Sequence, residues 1–410
     1  MKTITHLSQT LQTLLTETAD ELARSSRFVQ RQRLVSGSDF VQGLVFGLMA
    51  EPDATYHQLH LAYSRRSPHP ISATGFDQRF TPQAVAFLKR MVAAGLQSGL
   101  QQAMGTVFGL LKRFNGVYVL DGTRVSLPDG QQHLLTRLNL TSGEMTWEQT
   151  DQRQHDNHFA LSHAPLPVGA LRLADLGFFD LDTFAQLNQQ GVYWLSRYKT
   201  GTRLYDETGQ LLDLGQLLQS GSVDCPVWVG QQRLPARLVA QPVPPIVRQQ
   251  RQNDHRHRAR RKQRPISTRV LGLAGWTIYL TNILTLDFAA LAALARARWQ
   301  IERVFKLWKS FFRLPQSASH LPIRRQCLFW AKLLVILIAH WLMRLDKRTF
   351  PERSLWQTAQ VIQSFAFSLF DALSDNTLLQ CVLNDFQSTL ARVSHLSKRA
   401  SHPLSFQLLA

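Results

Sequence analysis

Three carboxylates lie at positions where folding would require their negative charge to be neutralised. Asp121 follows an apolar run at residues 117–120, and Asp175 follows another at residues 170–174. An acid at the end of a buried strand is costly unless it is paired or bound to a metal. Glu302 lies on an amphipathic helical segment, and three carboxylates that converge suit two Mg²⁺ ions and phosphodiester chemistry. Taken singly, each acid is equally explained as a turn former or as half of a surface ion pair.

The segment around Glu302 predicts one helix over residues 296–313. At about 100° per residue, Glu302 lies about 40° and Lys309 about 20° from Arg298, so the three form a narrow polar stripe. Beside a metal site, Arg298 and Lys309 would clamp phosphate groups. An ordinary Arg–Glu pair one turn apart is the alternative. The neighbouring apolar face holds Leu294, Ile301, Val304, Phe305, Trp308 and Phe312.

Charge and composition narrow the class of partner. The chain has 410 residues, 44% of them hydrophobic, and a formal net charge of +18. Such a positive balance indicates a polyanionic partner, most often nucleic acid. An anionic membrane surface is the rival, but the basic run lacks the large apolar residues of a lipid-facing helix. Three scattered cysteines and the absence of an apolar leader favour a reducing cytoplasm, with the protein associated with the nucleoid and not with a membrane.

The order of elements predicts a multi-domain α/β protein. Residues 1–105 form a helical, DNA-binding domain. Residues 106–197 and 276–345 form an α/β catalytic core, and residues 198–275 form a β-rich insertion within it. Residues 346–410 are helical again. The apolar stretch at residues 328–342 is too short and too interrupted for a membrane span, so we expect a buried helix.

Several helix starts follow from capping residues. Ser38 is expected to cap a helix at residues 39–50, and Asp182 one at residues 183–190. Asp287 is expected to cap a helix at residues 288–297. Ser72 is expected to cap a short helix that carries Gln78 and Arg79, which would serve as the recognition element of a helix-turn-helix.

The insertion carries a strongly basic run at residues 248–264. Eight Lys and Arg residues accompany a single acid, Asp254. We interpret the run as a loop that contacts DNA phosphates, with a solvated, disordered loop as the alternative. The expected DNA-binding residues of this loop are Arg256, Arg258, Arg260, Arg261 and Lys262.

Two tryptophans lie beside these features. Trp276 opens the apolar run WTIYLTN, where a core position is the more frequent role and stacking on an extruded base is the alternative. Trp299, beside Arg298, is expected to be a core residue.

The chain resembles the DDE-type transposases of bacterial insertion sequences, specifically insertion-sequence family four. The resemblance rests on YVLDGT around Asp121, LADLGFF around Asp175, YLTN at residues 279–282 and RWQIERVFKLWKS at residues 298–310. The last motif matches the Arg, Glu and Lys of the family's Tyr-Arg-Glu-Lys signature. Ala295 stands where that signature has Tyr, a residue thought to touch a phosphate in the family.

The resemblance implies a ribonuclease-H-like core interrupted by the β-rich insertion. Asp121, Asp175 and Glu302 would be the catalytic residues and the ligands of two Mg²⁺ ions, with Mn²⁺ as a substitute. The implied partners are double-stranded DNA, as transposon ends and target, and a second copy of the chain in the synaptic complex. The implied reaction is cut-and-paste transposition through a hairpin intermediate.

Two other functions share these residues. A metal-dependent nuclease on the same fold would use the same three acids and would cut DNA without joining it. A catalytically impaired, transposase-derived DNA-binding protein would occupy transposon ends without cutting them, and Ala295 gives that alternative its weight.

Overall fold

The structure is a computed structural model that describes residues 2–31, 35–67, 69–98, 109–127, 130–152, 154–317, 319–346, 348, 350–394 and 409. The chain divides into two compact units. The first unit contains residues 1–107, 122–154 and 300–402, and the second contains residues 108–121, 155–299 and 403–410. The predicted insertion, residues 198–275, falls within the second unit. The predicted boundary at residues 105 and 106 lies outside the described residues, and the predicted domain limits remain predictions.

The described elements combine helices with a set of mixed strands. The helices are α1 (Lys2–Leu15), α2 (Glu17–Ser25), α3 (Gly37–Ala50), α4 (Tyr56–Arg66), α5 (Ala73–Asp77), α6 (Pro82–Gln97), α7 (Ala160–His163), α8 (Leu181–Gln189), α9 (Leu214–Gln219), α10 (Pro245–Arg261), α11 (Thr268–Leu273), α12 (Phe288–Ala297), α13 (Gln300–Ser310), α14 (Pro322–Met343), α15 (Leu355–Ala372) and α16 (Asn376–Val393). The strands are β1 (Val117–Leu127), β2 (Gly130–Asn139), β3 (Met145–Thr150), β4 (Leu171–Ala174), β5 (Tyr193–Arg197), β6 (Leu204–Tyr205), β7 (Val223–Val229), β8 (Leu234–Pro242) and β9 (Trp276–Thr281).

The first unit is built mainly on helices that surround α3 and α14. Eleven of the fourteen residues of α3 are buried, and the helix packs against α4, α14 and α15. Gly43 is what lets α3 approach α4, because a Cβ at this position would lie 2.8 Å from the Tyr63 backbone. Strands β2 and β3 and the last residues of β1 complete this unit.

Helix α14 is a long apolar helix of the first unit. By length and composition alone it could cross a membrane, but 94% of its most apolar 18-residue window is buried inside the protein. The prediction of a buried helix at residues 328–342 is therefore confirmed.

One charged side chain lies inside this apolar helix. Lys332 is 3% exposed, and its Nζ donates hydrogen bonds to the carbonyl oxygens of Arg313 and Gln316 at 2.9 and 2.8 Å. These carbonyls belong to the turn that follows α13, so the buried ammonium group of Lys332 is satisfied by main-chain acceptors and ties that turn to α14. Burial is the main reason that the pKa of Lys332 falls to about 8; Asp53 acts to raise it and Arg313 to lower it.

Lys332 makes stability depend on pH in a predictable direction. The folded protein loses the Lys332 proton near pH 8, whereas the unfolded chain holds it until about pH 10.5, so the unfolded state binds more protons in that window. The free energy of unfolding of the wild type should therefore rise relative to Lys332→Met by about 1 kcal/mol per pH unit above pH 8. Denaturant unfolding of both proteins between pH 7.5 and 9.5 measures the difference. Lys306→Met, which alters an exposed lysine of α13, should show no such divergence. Parallel curves for wild type and Lys332→Met would contradict the assignment.

The second unit is built on strands ordered β1-β4-β5-β9-β8-β7-β6. Strand β1 pairs in parallel with β4, and β4 pairs in parallel with β5. The remaining pairs are antiparallel: β5 with β9, β9 with β8, β8 with β7 and β7 with β6. In the first unit β1 continues into the order β1-β2-β3. The insertion strands β6, β7 and β8 thus extend the same strand order and do not form a separate sheet. An apolar cluster covers one face, with Phe184 of α8 stacked on Trp194 at 4.2 Å.

The expected caps hold in part. Ser72 caps α5 and Asp287 caps α12, as predicted. The other two predicted caps are wrong by two residues: Ser36 caps α3 in place of Ser38, and Asp180 caps α8 in place of Asp182. In both cases a second capping residue lies close by, and local sequence does not decide between them.

The predicted recognition helix is also wrong in extent. Helix α5 has five residues and ends at Asp77, so Gln78 and Arg79 lie beyond its last turn. Phe76 and Phe80 fix this tight bend by packing edge to face at 5.5 Å.

Candidate active site

Parallel pairing of β1 with β4 brings two of the predicted acids together. Leu120 is in register with Ala174, so Asp121 and Asp175 are the next residues along two neighbouring strands. Adjacent strands lie about 4.8 Å apart, and residues in register point to the same face. The prediction that Asp121 ends its strand is wrong, because β1 runs on to Leu127. The prediction that Asp175 follows a buried strand is confirmed.

Asp121 is held by an arginine of the predicted signature. Arg298 Nη1 donates to Asp121 Oδ2 at 3.2 Å, and the two side chains are only 16% and 18% exposed. A guanidinium in this position offsets the carboxylate charge and fixes the side-chain direction. Arg298 and Asp121 therefore form one partly buried ion pair, and the predicted role of Arg298 as a phosphate clamp stays a prediction.

Asp175 is shaped by the turn that follows it. Its Oδ1 accepts a hydrogen bond from the Gly177 backbone at 2.8 Å and so caps the 3-10 turn Leu176–Phe178. A Cβ at Gly177 would lie 2.9 Å from that same oxygen, so a larger residue here would require the Asp175 carboxylate to shift. The Asp175 residue is exposed, so its carboxylate is available to a solvent-borne ligand.

Asp175 lines a cavity of about 240 Å³ within the second unit. Arg298, Ala295 and Tyr279 line the same cavity. Trp299 also lines it and is 53% exposed, so the prediction that Trp299 is a core residue is wrong. The other lining residues are Leu173, Ala174, Leu176, Leu195, Ser196 and Arg197.

The loop into α12 is fixed by the insertion. Arg237 of β8 forms a bidentate pair with Asp224, with contacts of 2.7 and 2.6 Å. Its third nitrogen, Nη1, donates to the carbonyl oxygens of Ile283 and Leu286 at 3.1 and 2.7 Å. Because these carbonyls lead directly into α12, the insertion helps to position the helix that carries Ala295.

The predicted single helix over residues 296–313 is two helices. Helix α12 ends at Ala297 and α13 begins at Gln300. Arg298 is the C-cap of α12, and Trp299 donates its backbone N–H to Arg296, three residues back. The apolar face was predicted correctly, because Leu294, Ile301, Val304, Phe305, Trp308 and Phe312 are all buried.

Glu302 and Lys309 lie on α13 in the first unit, and both are partly buried. Trp308 anchors this helix: its ring lies 5.6 Å from that of Trp147, and its Nε1 donates to His340 Nε2 at 3.2 Å. Complete burial is the main reason that the pKa of His340 falls to about 3, and Arg353 and Arg344 contribute to the lowering, so the imidazole is neutral at physiological pH. The packing of Trp308 therefore fixes the rotation of α13 about its axis, and with it the directions of Glu302 and Lys309.

The basic run is a helix, which corrects the predicted loop. Helix α10 spans Pro245–Arg261 and has no buried residue. It is attached along one side, where Arg251 donates to the Trp276 carbonyl at 2.9 Å and Gln252 donates to the Leu271 carbonyl at 2.9 Å. The basic residues predicted to bind DNA, Arg256, Arg258, Arg260, Arg261 and Lys262, are all exposed on or just after this helix.

A second cavity, of about 330 Å³, lies between α10 and β9. Arg258 lines it with Arg251 and Arg197, so this basic residue faces a different direction from Arg256. Trp276 lines the cavity as well and is partly buried, which leaves both of its predicted roles open.

Sequence reasoning missed Arg197, Arg251 and Tyr279 as residues of these cavities. Arg197 is in register with Tyr279 on the paired strands β5 and β9. The YLTN motif could have indicated Tyr279, because this residue is a polar aromatic side chain within an otherwise apolar strand. Among the described residues, no group of three His, Cys, Asp or Glu side chains has the arrangement of a metal site.

Comparison with known proteins places the chain in a family. A model of the transposase DDE domain matches residues 112–338, more than half of the chain. The transposase of insertion sequence IS231F from Bacillus thuringiensis subsp. israelensis is 24% identical over 94% of this chain and 90% of its own length. The transposase of IS1151 from Clostridium perfringens is 21% identical over 95% and 92%. A putative transposase of IS186A from Escherichia coli (strain K12) is 27% identical over 58% of this chain and 68% of its own length. The chain therefore belongs to the transposase DDE-domain family.

Proposed function

We propose that this protein binds the inverted repeats of an insertion sequence and performs metal-dependent DNA strand cleavage and strand transfer. The observation that carries the proposal is that Asp121 and Asp175 directly follow the paired residues Leu120 and Ala174 of two parallel strands, and that Arg298 contacts Asp121. Two neighbouring carboxylates with an adjacent guanidinium are suited to a phosphodiester, because they offer metal ligands and a phosphate contact together. The proposed core is ribonuclease-H-like.

The donor set fits a divalent metal. Carboxylate oxygens are the ligands that Mg²⁺ prefers, and Asp175 is exposed at a cavity mouth. In the proposal Asp121, Asp175 and Glu302 hold two Mg²⁺ ions, or Mn²⁺ in their place. When bound, the ions supply activation of the attacking oxygen and stabilisation of the leaving oxygen.

The chain's own residues orient the DNA in this scheme. Arg298 fixes Asp121 and presents positive charge to a phosphate, and Lys309 clamps the strand from α13. A water oxygen first attacks phosphorus at the transposon end, and the released 3′ oxygen takes up a proton. That 3′-OH then attacks the opposite strand and displaces the 3′ oxygen of the flanking DNA, which gives a hairpin. Water reopens the hairpin by displacing the 3′ oxygen of the transposon end, and the regenerated 3′-OH attacks target DNA and displaces a 3′ oxygen of the target strand. Two copies of the chain would hold the two ends together.

A strand-transfer assay tests the proposal. Purified protein is incubated with Mg²⁺, a plasmid target and a labelled duplex that carries the inverted repeat joined to its flanking DNA. We expect labelled hairpins and labelled joint molecules. Cleavage without joining would favour the nuclease alternative, and binding without cleavage would favour the impaired DNA-binding protein.

A further inference from the structure

Tyr279 is a polar side chain that the proposed reaction does not yet use. It is 4% exposed, lies on β9 and lines the cavity that also contains Asp175, Ala295 and Arg298. No described residue forms a hydrogen bond with its hydroxyl, and the ring packs on Phe288 at 5.7 Å. The residue is largely buried, but its hydroxyl oxygen is not one of the fully buried atoms that lack a partner, so it is accessible to a ligand in the cavity.

The charges around Tyr279 indicate what kind of ligand. Arg197, Arg251 and Arg296 each act on the phenol electrostatically, and all three lower its pKa. Burial is the larger influence and raises the pKa of Tyr279, so the group remains a neutral phenol and a hydrogen-bond donor at physiological pH. A donor surrounded by guanidinium groups is complementary to an anion, and Arg298 adds a further positive charge in the same cavity.

Ala295 provides the space for such an anion. It lines the same cavity and has only a methyl group, so α12 contributes no donor at this position. The Tyr279 side chain lines the cavity from a different element, strand β9. The cavity of about 240 Å³ exceeds the volume of a single phosphate group, so a nucleotide of a DNA strand is the matching ligand.

We propose that the Tyr279 hydroxyl donates a hydrogen bond to a backbone phosphate of the DNA strand held beside Asp175, and so acts as a DNA-positioning residue where α12 offers only Ala295. This inference rests on the proposed function for the identity of the ligand.

The test combines one substitution with one modified DNA. Tyr279→Phe removes only the oxygen, and because that oxygen has no described partner, the thermal unfolding temperature should not fall. We expect the affinity for a labelled inverted-repeat duplex to fall about 10- to 50-fold, as for the loss of a hydrogen bond to a charged group. Tyr205→Phe, on strand β6, is the matched control and should bind as the wild type does.

Methylphosphonate scanning gives the decisive result. One phosphate at a time near the cleavage position is replaced by a neutral methylphosphonate. At one position the methylphosphonate should lower the affinity of the wild type but leave the affinity of Tyr279→Phe unchanged. The reason is that the substitution and the modified phosphate each remove the same contact. Equal penalties in both proteins at every position, or wild-type affinity for Tyr279→Phe, would overturn the inference. Strand cleavage is scored separately, so a wild type that binds without cutting refutes the proposed function while the affinity comparison still decides the role of Tyr279.

Discussion

Asp175→Asn should reduce Mg²⁺-dependent cleavage of an end-bearing duplex by at least about 10³-fold. A metal ion contributes several kcal/mol to transition-state stabilisation, and each 1.36 kcal/mol corresponds to a tenfold change in rate. The substitution replaces one carboxylate oxygen with an amide and leaves an acceptor for the Gly177 N–H, whose present distance is 2.8 Å. Local structure is therefore retained, because Asn caps as well as Asp does.

Asp182→Asn is the matched control for this experiment. Asp182 is exposed on α8 in the same unit and contacts Gln232 at 3.3 Å. Its neutralisation should leave cleavage unchanged, and both variants should bind the duplex at wild-type affinity. Cleavage by Asp175→Asn within tenfold of the wild type would refute the assignment of Asp175 as a metal ligand.

The exposed face of α10 should account for much of the affinity for DNA. Arg256 and Arg260 lie one turn apart, both exposed, on a helix that is attached on its other side through Arg251 and Gln252. Replacing both with Gln, a good helix former, should weaken binding about 100-fold, since each charged hydrogen bond contributes about 1.5 kcal/mol or more. The slope of log affinity against log salt should become shallower by about 1.8, because two phosphate contacts are lost.

Net charge alone must be separated from this effect. Lys306→Gln combined with Arg392→Gln removes the same number of charges from exposed positions on α13 and α16. That variant should keep both the affinity and the salt slope of the wild type. Equal losses in the two double variants would show that α10 has no specific role in DNA binding.

Local patterns predicted what local physics determines. The strand before Asp175, the caps Ser72 and Asp287 and the buried α14 follow from apolar periodicity and capping chemistry, which act within a few residues. The pairing of β1 with β4 was not predictable in register, because register depends on partners distant in sequence.

The failures have physical causes too. Residues 296–313 keep helical periodicity across Arg298, so only the three-residue backbone bond at Trp299 reveals the break. The basic run has no apolar face, which favoured a loop, yet hydrogen bonds from Arg251 and Gln252 attach it as a helix. For the basic run, tertiary contacts that no local window contains decided the outcome.

Gly177 carries a consequence for judging whether related gene copies are functional. The backbone N–H of Gly177 binds the Asp175 carboxylate so closely that a Cβ at position 177 would lie 2.9 Å from the carboxylate oxygen. A copy that acquires Gly177→Ala would keep the three proposed catalytic acids and the whole basic helix, yet its Asp175 carboxylate would have to shift. Surveys that score mobility by the three acids alone would count such a copy as intact. The residue two positions after Asp175 is therefore a further position to compare between such copies.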